Sequence, residues 1–427
     1  MNRRYPHLIV LALLFGLFTF LSLNWHSHSP AFTYHSEIWA DRAGYHMYLP
    51  AAINHHFDPS KFPEGIDKRT GNGFQLDSVP GRISTKYTCG IALLRLPFYL
   101  IGDLFRPDAE APLTGFSAID HVMVDVASAF YGALGLVLLW GLLLRRSSPT
   151  AATLAVFGVL AGTNLLYYVI ADPGMSHSYS FFLFALFMFL IERGIAKGWT
   201  KRMAVCVGTT AGLIVLIRPT NVVLLPVGMY LISGSWDTMV AQCKAFLRPS
   251  FVISALVPST SILLLQFLYW QYLYGVPVVW SYGSEGFTNW KNPQLLRFWF
   301  APYNGLFAYA PFLLITLLAS LLPANGRPSE RTSAWIVLVV VSYLSASWFS
   351  TFGCGFGART FVEYTTVLAF PMATMFRKES RIRWPLIAAL GLCTAYTLKL
   401  MYSYDSCWFG ETWDWSLFRR LLFGPFK

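Results

Sequence analysis

Residues 7–24 read HLIVLALLFGLFTFLSLN, and fifteen residues further on the chain reads Trp39-Ala40-Asp41-Arg42-Ala43-Gly44-Tyr45-His46. The first stretch carries no acid, lysine or arginine, and its length suits a helix that crosses a bilayer, for which about 20 apolar residues are needed. Arg3 and Arg4 precede it, and no small-residue cleavage site follows in Leu23-Asn24-Trp25-His26. It is therefore expected to stay as a first span, not to be removed as a signal peptide. The second stretch puts an acid just beyond that span.

Working outward, the pattern of the first stretch recurs along the chain. Of 427 residues, 55% are hydrophobic, 17% aromatic and only 12% charged. A soluble domain carries about 25% charged residues. With a mean hydropathy of +0.48, this excludes a soluble enzyme, a disordered chain and a disulfide scaffold. Apolar segments follow at 121–144, 150–170, 177–192, 203–217, 220–234, 250–273, 304–323, 333–350, 361–376 and 384–401. Together with 7–24 they make about eleven spans on a length criterion. Arg218-Pro219 divides 203–217 from 220–234 as a tight turn, because proline disfavours helix in the residue before it. The fold class expected is an all-α polytopic membrane protein forming one transmembrane domain over 1–427. Residues 25–120 form a long first outer loop, 274–303 a second, and 402–427 an interfacial tail. Within the first loop, 91–101 is apolar but too short to span, so it reads as a helix lying in the interface plane, with 45–57 as another.

Charge sets the orientation. With the N-terminus inside, the inner segments hold 16 basic residues against four acids (Glu192, Asp237, Glu330 and Glu379), leaving 16 basic residues and 17 acids outside. Basic residues favour the cytoplasmic side, so the first outer loop, the second and the C-terminus are expected outside. This also accounts for the net charge of +11 without nucleic acid. No GxxxxGK[ST] occurs, so direct ATP coupling is not expected. No internal repeat of the kind found in many transporters is visible. Of the six cysteines, Cys89, Cys354 and Cys407 fall outside, where one disulfide is permitted.

Several residues could carry chemistry. Asp41, at the outer face, could be a general base; its alternative role is to cap the helix that follows. Glu37 could be its partner or a loop acid. Arg42, Lys86, Arg218 and Arg359 are cations in places where topology does not require them, suited to an anionic lipid phosphate. Lys86 could instead snorkel, and Arg359 could pair with Glu363 at i+4. Tyr45, His46, His177, Glu285, Asn289, Trp290, Asn304 and Glu363 are candidates for substrate contact. Amides and acids suit sugar hydroxyls and indole faces suit pyranose rings, although Trp and Tyr also form interfacial belts. Asp120, His121 and Asp125 lie close in sequence but not on one helix face. No metal is expected, and no cofactor.

The order of these strings resembles the GT-C glycosyltransferases, polytopic enzymes that include protein O-mannosyltransferases and the aminoarabinose transferase of lipid A. The strings are Asp41-Arg42-Ala43-Gly44-Tyr45 with Tyr48-Leu49-Pro50, Lys86-Tyr87-Thr88-Cys89-Gly90, Gly162-Thr163-Asn164 with Met175-Ser176-His177, and Arg218-Pro219-Thr220. The resemblance implies inverting transfer of a sugar from a polyprenyl-phosphate donor, a substrate and not a cofactor, to a hydroxyl of a lipid, glycan or protein. It implies that Asp41 is the base on that hydroxyl and that Lys86 meets the donor phosphate. It further implies a multi-pass protein of a bacterial inner membrane, with its site on the periplasmic side. The chain departs from the family's usual pattern in having no second acid soon after Asp41, and about 26 residues follow the last expected span. The alternative is a non-catalytic flippase or transporter of polyprenol-linked sugars, which would place its charges near the bilayer midplane.

Overall fold

Among the described residues, five helices are long and apolar enough to cross a membrane: Pro6–His26, Ala118–Leu144, His177–Lys197, Pro249–Tyr274 and Arg383–Ser403. A sixth crossing is added if Pro219–Ser233 and Trp236–Phe246, bent by 114° at their junction, are taken as one. These come from a computed structural model that describes residues 6–322, 327–350, 354–405 and 414–425.

Each apolar segment expected from the sequence coincides at least in part with helix, but the count of eleven membrane-length helices is not met. The reasons are local. Segment 150–170 breaks into Pro149–Ala161 and Leu165–Ile170. There the Thr163 hydroxyl folds back onto the Val159 carbonyl, and the Asn164 amide donates to the Phe356 carbonyl at 3.0 Å. Segment 304–323 breaks at Ala310-Pro311 into Leu306–Tyr309 and Pro311–Ser320, since proline cannot supply the helical N–H. Helix Pro328–Ser347 is long, but its first turns are Ser329, Glu330, Arg331, Thr332 and Ser333. Arg218 is extended (φ −149°, ψ 111°) ahead of Pro219, as the sequence predicts.

Helix ends follow capping chemistry. Ser117 and Asp120 form a capping box at the start of Ala118–Leu144, and Thr200 accepts from the Met203 amide; such caps are worth about 1 kcal/mol each. Close packing relies on small residues. A Cβ at Gly208 would sit 2.0 Å from the Ala255 carbonyl oxygen, and Gly212 meets Ser259. Lys201–Ile217 and Pro249–Tyr274 therefore touch backbone to backbone, the small-xxx-small contact of membrane helices. The outer faces of Pro6–His26 and Pro249–Tyr274 expose Leu13, Phe20, Ile253 and Val257, which suits lipid.

At about 1.5 Å per residue, Ala118–Leu144 is roughly 40 Å long, and its two ends differ chemically. At its C-terminal end Arg145 pairs with Glu192 at 3.0 Å, Arg146 donates to the carbonyls of Leu231 and Ile232, and Arg377 donates to the Arg146 carbonyl. At its N-terminal end lies the loop 25–120. That loop corrects the all-α expectation: Gln75–Val79 and Arg82–Ser84 form an antiparallel hairpin, turned at Gly81, whose amide donates to Asp77 Oδ1 at 2.7 Å. The expected segment 91–101 lies within helix Gly90–Leu104, while 45–57 divides into Asp41–His46 and Tyr48–Ile53. Helix Trp236–Phe246 has no counterpart in the sequence reading. In the tail, Trp415–Phe423 buries Leu417, Phe418 and Leu421; Cys407, Trp408 and Trp413 lie outside the described residues. Cys354 is disulfide-bonded, whereas Cys89 is a buried free thiol.

Candidate active site at the loop end of the bundle

Asp41 is presented from a tight corner. Ala40 precedes it with φ 47°, in the left-handed region, where a non-glycine residue is held at a cost of about 1–3 kcal/mol. The corner is held by the Ala40 amide donating to the Thr70 carbonyl at 2.8 Å. Asp41 begins helix Asp41–His46 but does not cap it. Its carboxylate faces the other way: Oδ2 lies 3.2 Å from Arg359 Nη1, and the Tyr87 hydroxyl donates to Oδ1. Arg359 is brought there by Gly355, whose φ of 149° suits glycine and whose missing side chain leaves room for the Tyr168 hydroxyl.

Two further cation–carboxylate pairs stand nearby. Lys86 Nζ contacts both oxygens of Glu285, at 2.6 and 2.8 Å, and lies over the rings of Tyr87 and Tyr282. Arg218 Nη1 is 3.4 Å from Glu363 Oε1, and His177 Nδ1 is 2.9 Å from Glu363 Oε2. Glu363 and His177 are fully buried, whereas Arg218 and Arg359 keep about a fifth to a quarter of their side chains exposed (21% and 26%). The expected alternative for Arg359, a pair with Glu363, is not formed. Tyr45 is buried against Tyr87, ring centroids 4.6 Å apart, and senses the charges of Asp41, Arg218 and Arg359.

Burial by itself would raise the Asp41 carboxyl. The Arg359 guanidinium, the Tyr87 hydrogen bond and the charges of Lys86 and Arg42 outweigh it and hold Asp41 below the ordinary carboxylate range. Burial and the Asp41 charge push the Tyr87 phenol well above its ordinary value, so it remains the donor. At rest the site thus holds an ionised acid whose negative charge is already matched.

Other sequence candidates lie apart. Arg42 is buried and committed to Asp172 at 2.9 Å, with further donation to the Tyr34 and Trp39 carbonyls. His46 bonds the Gly115 carbonyl at 2.7 Å; burial and the charge of Arg95 lower it to about 3, so it is neutral and structural. Asn289 ties the loop 274–303 to the end of Pro328–Ser347, its amide group donating to the Trp348 carbonyl at 3.0 Å. Trp290 is half-exposed and stacks on Phe287. Asn304 is buried with φ 59°. Asp120 is taken up by Arg106 at 3.0 Å, while His121 and Asp125 separate from it and join Glu37 and His26. The sequence reading treated 120, 121 and 125 as the acid–histidine cluster; the partners from the first span and loop were missed because they are 84 and 99 residues away. An open pocket of about 540 Å³ lined by Asn54, His55, Lys61 and Thr114 lies elsewhere in the first loop and does not include Asp41.

A multi-pass helical membrane fold is the architecture the GT-C resemblance implies. ArnT from Cupriavidus metallidurans, in a crystal structure bound to undecaprenyl phosphate, matches with a TM-score of 0.55 at 13% identity over 93% of this chain. This chain spans 64% of the length of that one. At this identity the likeness is one of fold. Two structures of the Archaeoglobus fulgidus oligosaccharyltransferase also match, one in the apo form and one of AglB with an inhibitory peptide and a dolichol-phosphate. Their TM-scores are 0.47 and 0.46, each at 15% identity over 93% of this chain and covering 56% and 55% of theirs. No family model matches the chain, and no curated protein matches it in sequence.

Proposed function

We propose that this protein is an inverting glycosyltransferase that moves a sugar from a polyprenyl-phosphate donor to a hydroxyl of a lipid, glycan or protein at the outer face of a bacterial inner membrane. The reading rests chiefly on one observation: Asp41 lies at the loop end of a GT-C fold with its carboxylate between Tyr87 and Arg359. The asymmetry of basic loops supports an N-terminus in the cytoplasm and a periplasmic site.

In this reaction Asp41 takes the acceptor's hydroxyl proton as the acceptor oxygen attacks the sugar's anomeric carbon. The bond from that carbon to the phosphate oxygen breaks, and the polyprenyl phosphate leaves with the electron pair. Arg359, Arg218 and Lys86 receive its charge, the role of preorganised cations at a leaving group. Each is paired with a carboxylate at rest, so phosphate binding is an exchange of partners: the donor takes Arg359 and leaves Asp41 free to act as a base. Because the groups around Asp41 are cations and a phenol, the step is proposed without a metal at Asp41. Tyr45 packs on Tyr87, Glu363 holds His177 and Arg218, and Glu285 holds Lys86 at rest.

The test is release of polyprenyl phosphate. Purified protein in lipid vesicles is given a panel of polyprenyl-phosphate sugars with membrane-derived acceptors. Acceptor-dependent release from at least one donor is expected. Donor movement across the membrane without release would contradict transfer and point to a flippase.

A further inference from the structure

Four residues before Asp41 the chain gathers a second set of titratable side chains that the proposed transfer does not use. His26 comes from the last turn of Pro6–His26, Glu37 from the outer loop and Asp125 from the second turn of Ala118–Leu144. His26 Nδ1 lies 3.1 Å from Asp125 Oδ1 and 3.7 Å from Glu37 Oε1. One ligating atom from each of the three falls within 4.8 Å of the other two, and all three residues are buried. Zinc bonds of about 2.0–2.2 Å at tetrahedral angles put neighbouring ligand atoms roughly 3.3 Å apart, so this spacing suits a shared ion. His121 stays outside the centre. Its Nδ1 lies 2.7 Å from the second oxygen of Glu37, the contact by which an outer imidazole orients a ligating carboxylate.

Charge is an independent argument. Among the described residues neither Glu37 nor Asp125 is ion-paired with a lysine or arginine, and the neighbouring guanidinium of Arg42 is bound to Asp172. Two buried carboxylates need a compensating cation. The Nε2 atoms of both His26 and His121 are buried without a hydrogen-bond partner. A divalent ion would balance both carboxylates.

We propose that His26, Glu37 and Asp125 bind one divalent transition-metal ion. Zinc best suits the mixture of imidazole and carboxylate ligands, with His121 as the positioning residue for Glu37. The ion would tie the first span, the outer loop and the Ala118–Leu144 helix together just ahead of Asp41. Its role is structural, so it is compatible with metal-free chemistry at Asp41. The proton-held alternative has its own geometry: His26 Nδ1 also lies 3.0 Å from the Ser22 carbonyl, to which a protonated ring would donate.

Metal analysis by mass spectrometry decides between them, using full-length protein purified without chelators and then supplied with zinc. About one zinc per chain is expected, with His26→Gln and Asp125→Asn each reducing occupancy to near zero. His121→Gln should weaken zinc affinity by about 10–100-fold, the range for outer-sphere partners. Where a ligand variant fails to fold, the wild-type protein still decides: removing the ion should lower its thermal midpoint, zinc should restore it, and cobalt should give a d–d absorption band. Wild-type protein that takes up no zinc, or whose midpoint ignores removal and return of the ion, would overturn the proposal in favour of protons. Zinc retained at full occupancy in both ligand variants would also overturn it.

Discussion

The two ends of the bundle use the same residue types differently. At one end Arg146 and Arg377 donate to backbone carbonyls, and Arg145, about half exposed, reaches Glu192. At the other, Arg218, Arg359 and Lys86 each meet a carboxylate beside a cluster of tyrosines. The first arrangement serves topology and helix ends, where exact partners matter little. The second holds matched charges in a partly dry site, so each pairing is a constraint that a substrate anion can replace. A basic residue is therefore informative less by its presence than by whether the chain has supplied it with an acid.

The largest contrast should come from removing one carboxylate at each end. Glu363→Gln leaves buried His177 and Arg218 without their partner; breaking a buried pair in this way costs about 3–5 kcal/mol. Glu192→Gln touches a pair whose arginine is about half exposed, for which no more than about 1 kcal/mol is expected. Thermal or denaturant unfolding in detergent measures both. Equal, small effects would remove the distinction between the two ends.

Arg359→Gln should come next. Losing a cation that meets developing charge is expected to lower kcat/KM by about 10²–10³-fold. It should also move the acid limb of the pH–rate profile. With its pKa held low by Arg359, wild-type Asp41 stays ionised to below the ordinary carboxylate pKa of about 3.9. Without Arg359 the limb should shift upward. The sign for stability follows: the depressed pKa contributes stability that is present above the unfolded value and lost as pH falls through the folded one. That contribution should shrink in Arg359→Gln. A profile that does not move would mean Arg359 does not govern Asp41.

Lys86→Gln should have the smallest effect. Its pair with Glu285 is about one-third exposed on each side (33% and 30%), so stability should change by less than about 1 kcal/mol. KM for the lipid donor should nevertheless rise, by roughly 10-fold if one charge-assisted contact of about 1.5 kcal/mol is lost. An unchanged KM would assign Lys86 to holding Glu285 alone.

The sequence made much of this legible, and its failures are specific. Apolar run length located the helices, but it could not see that Thr163 and Asn164 would bond to backbone and break 150–170, so among the described residues fewer single helices reach membrane length than there are apolar segments. Lys86, Arg218 and Arg359 stand out because their charges are unneeded for topology; in the fold Arg359 meets Asp41, and Lys86 lies over the ring of the Tyr87 that bonds it. Their partners were not legible: Arg359–Asp41 and Lys86–Glu285 join residues hundreds of positions apart, and only i,i+4 neighbours such as Arg359 and Glu363 could be paired by spacing. Arg42 was misjudged for the same reason, since its partner Asp172 lies 130 residues away. The role of Tyr87 as donor to Asp41 escapes spacing arguments, although a phenol beside a lysine is a readable signal for a donor at an anionic site.

The account's central claim is that Asp41 is the base and that its negative charge, not its shape, is what the reaction uses. Single-turnover transfer by Asp41→Asn, with donor saturating and membrane insertion verified, tests it most directly. The rate should fall by about 10²–10⁴-fold, the scale of general-base loss, while polyprenyl-phosphate binding is kept. Turnover close to that of the wild type would contradict the assignment of Asp41 and, with it, the reading of the three cations as a phosphate site built around that base.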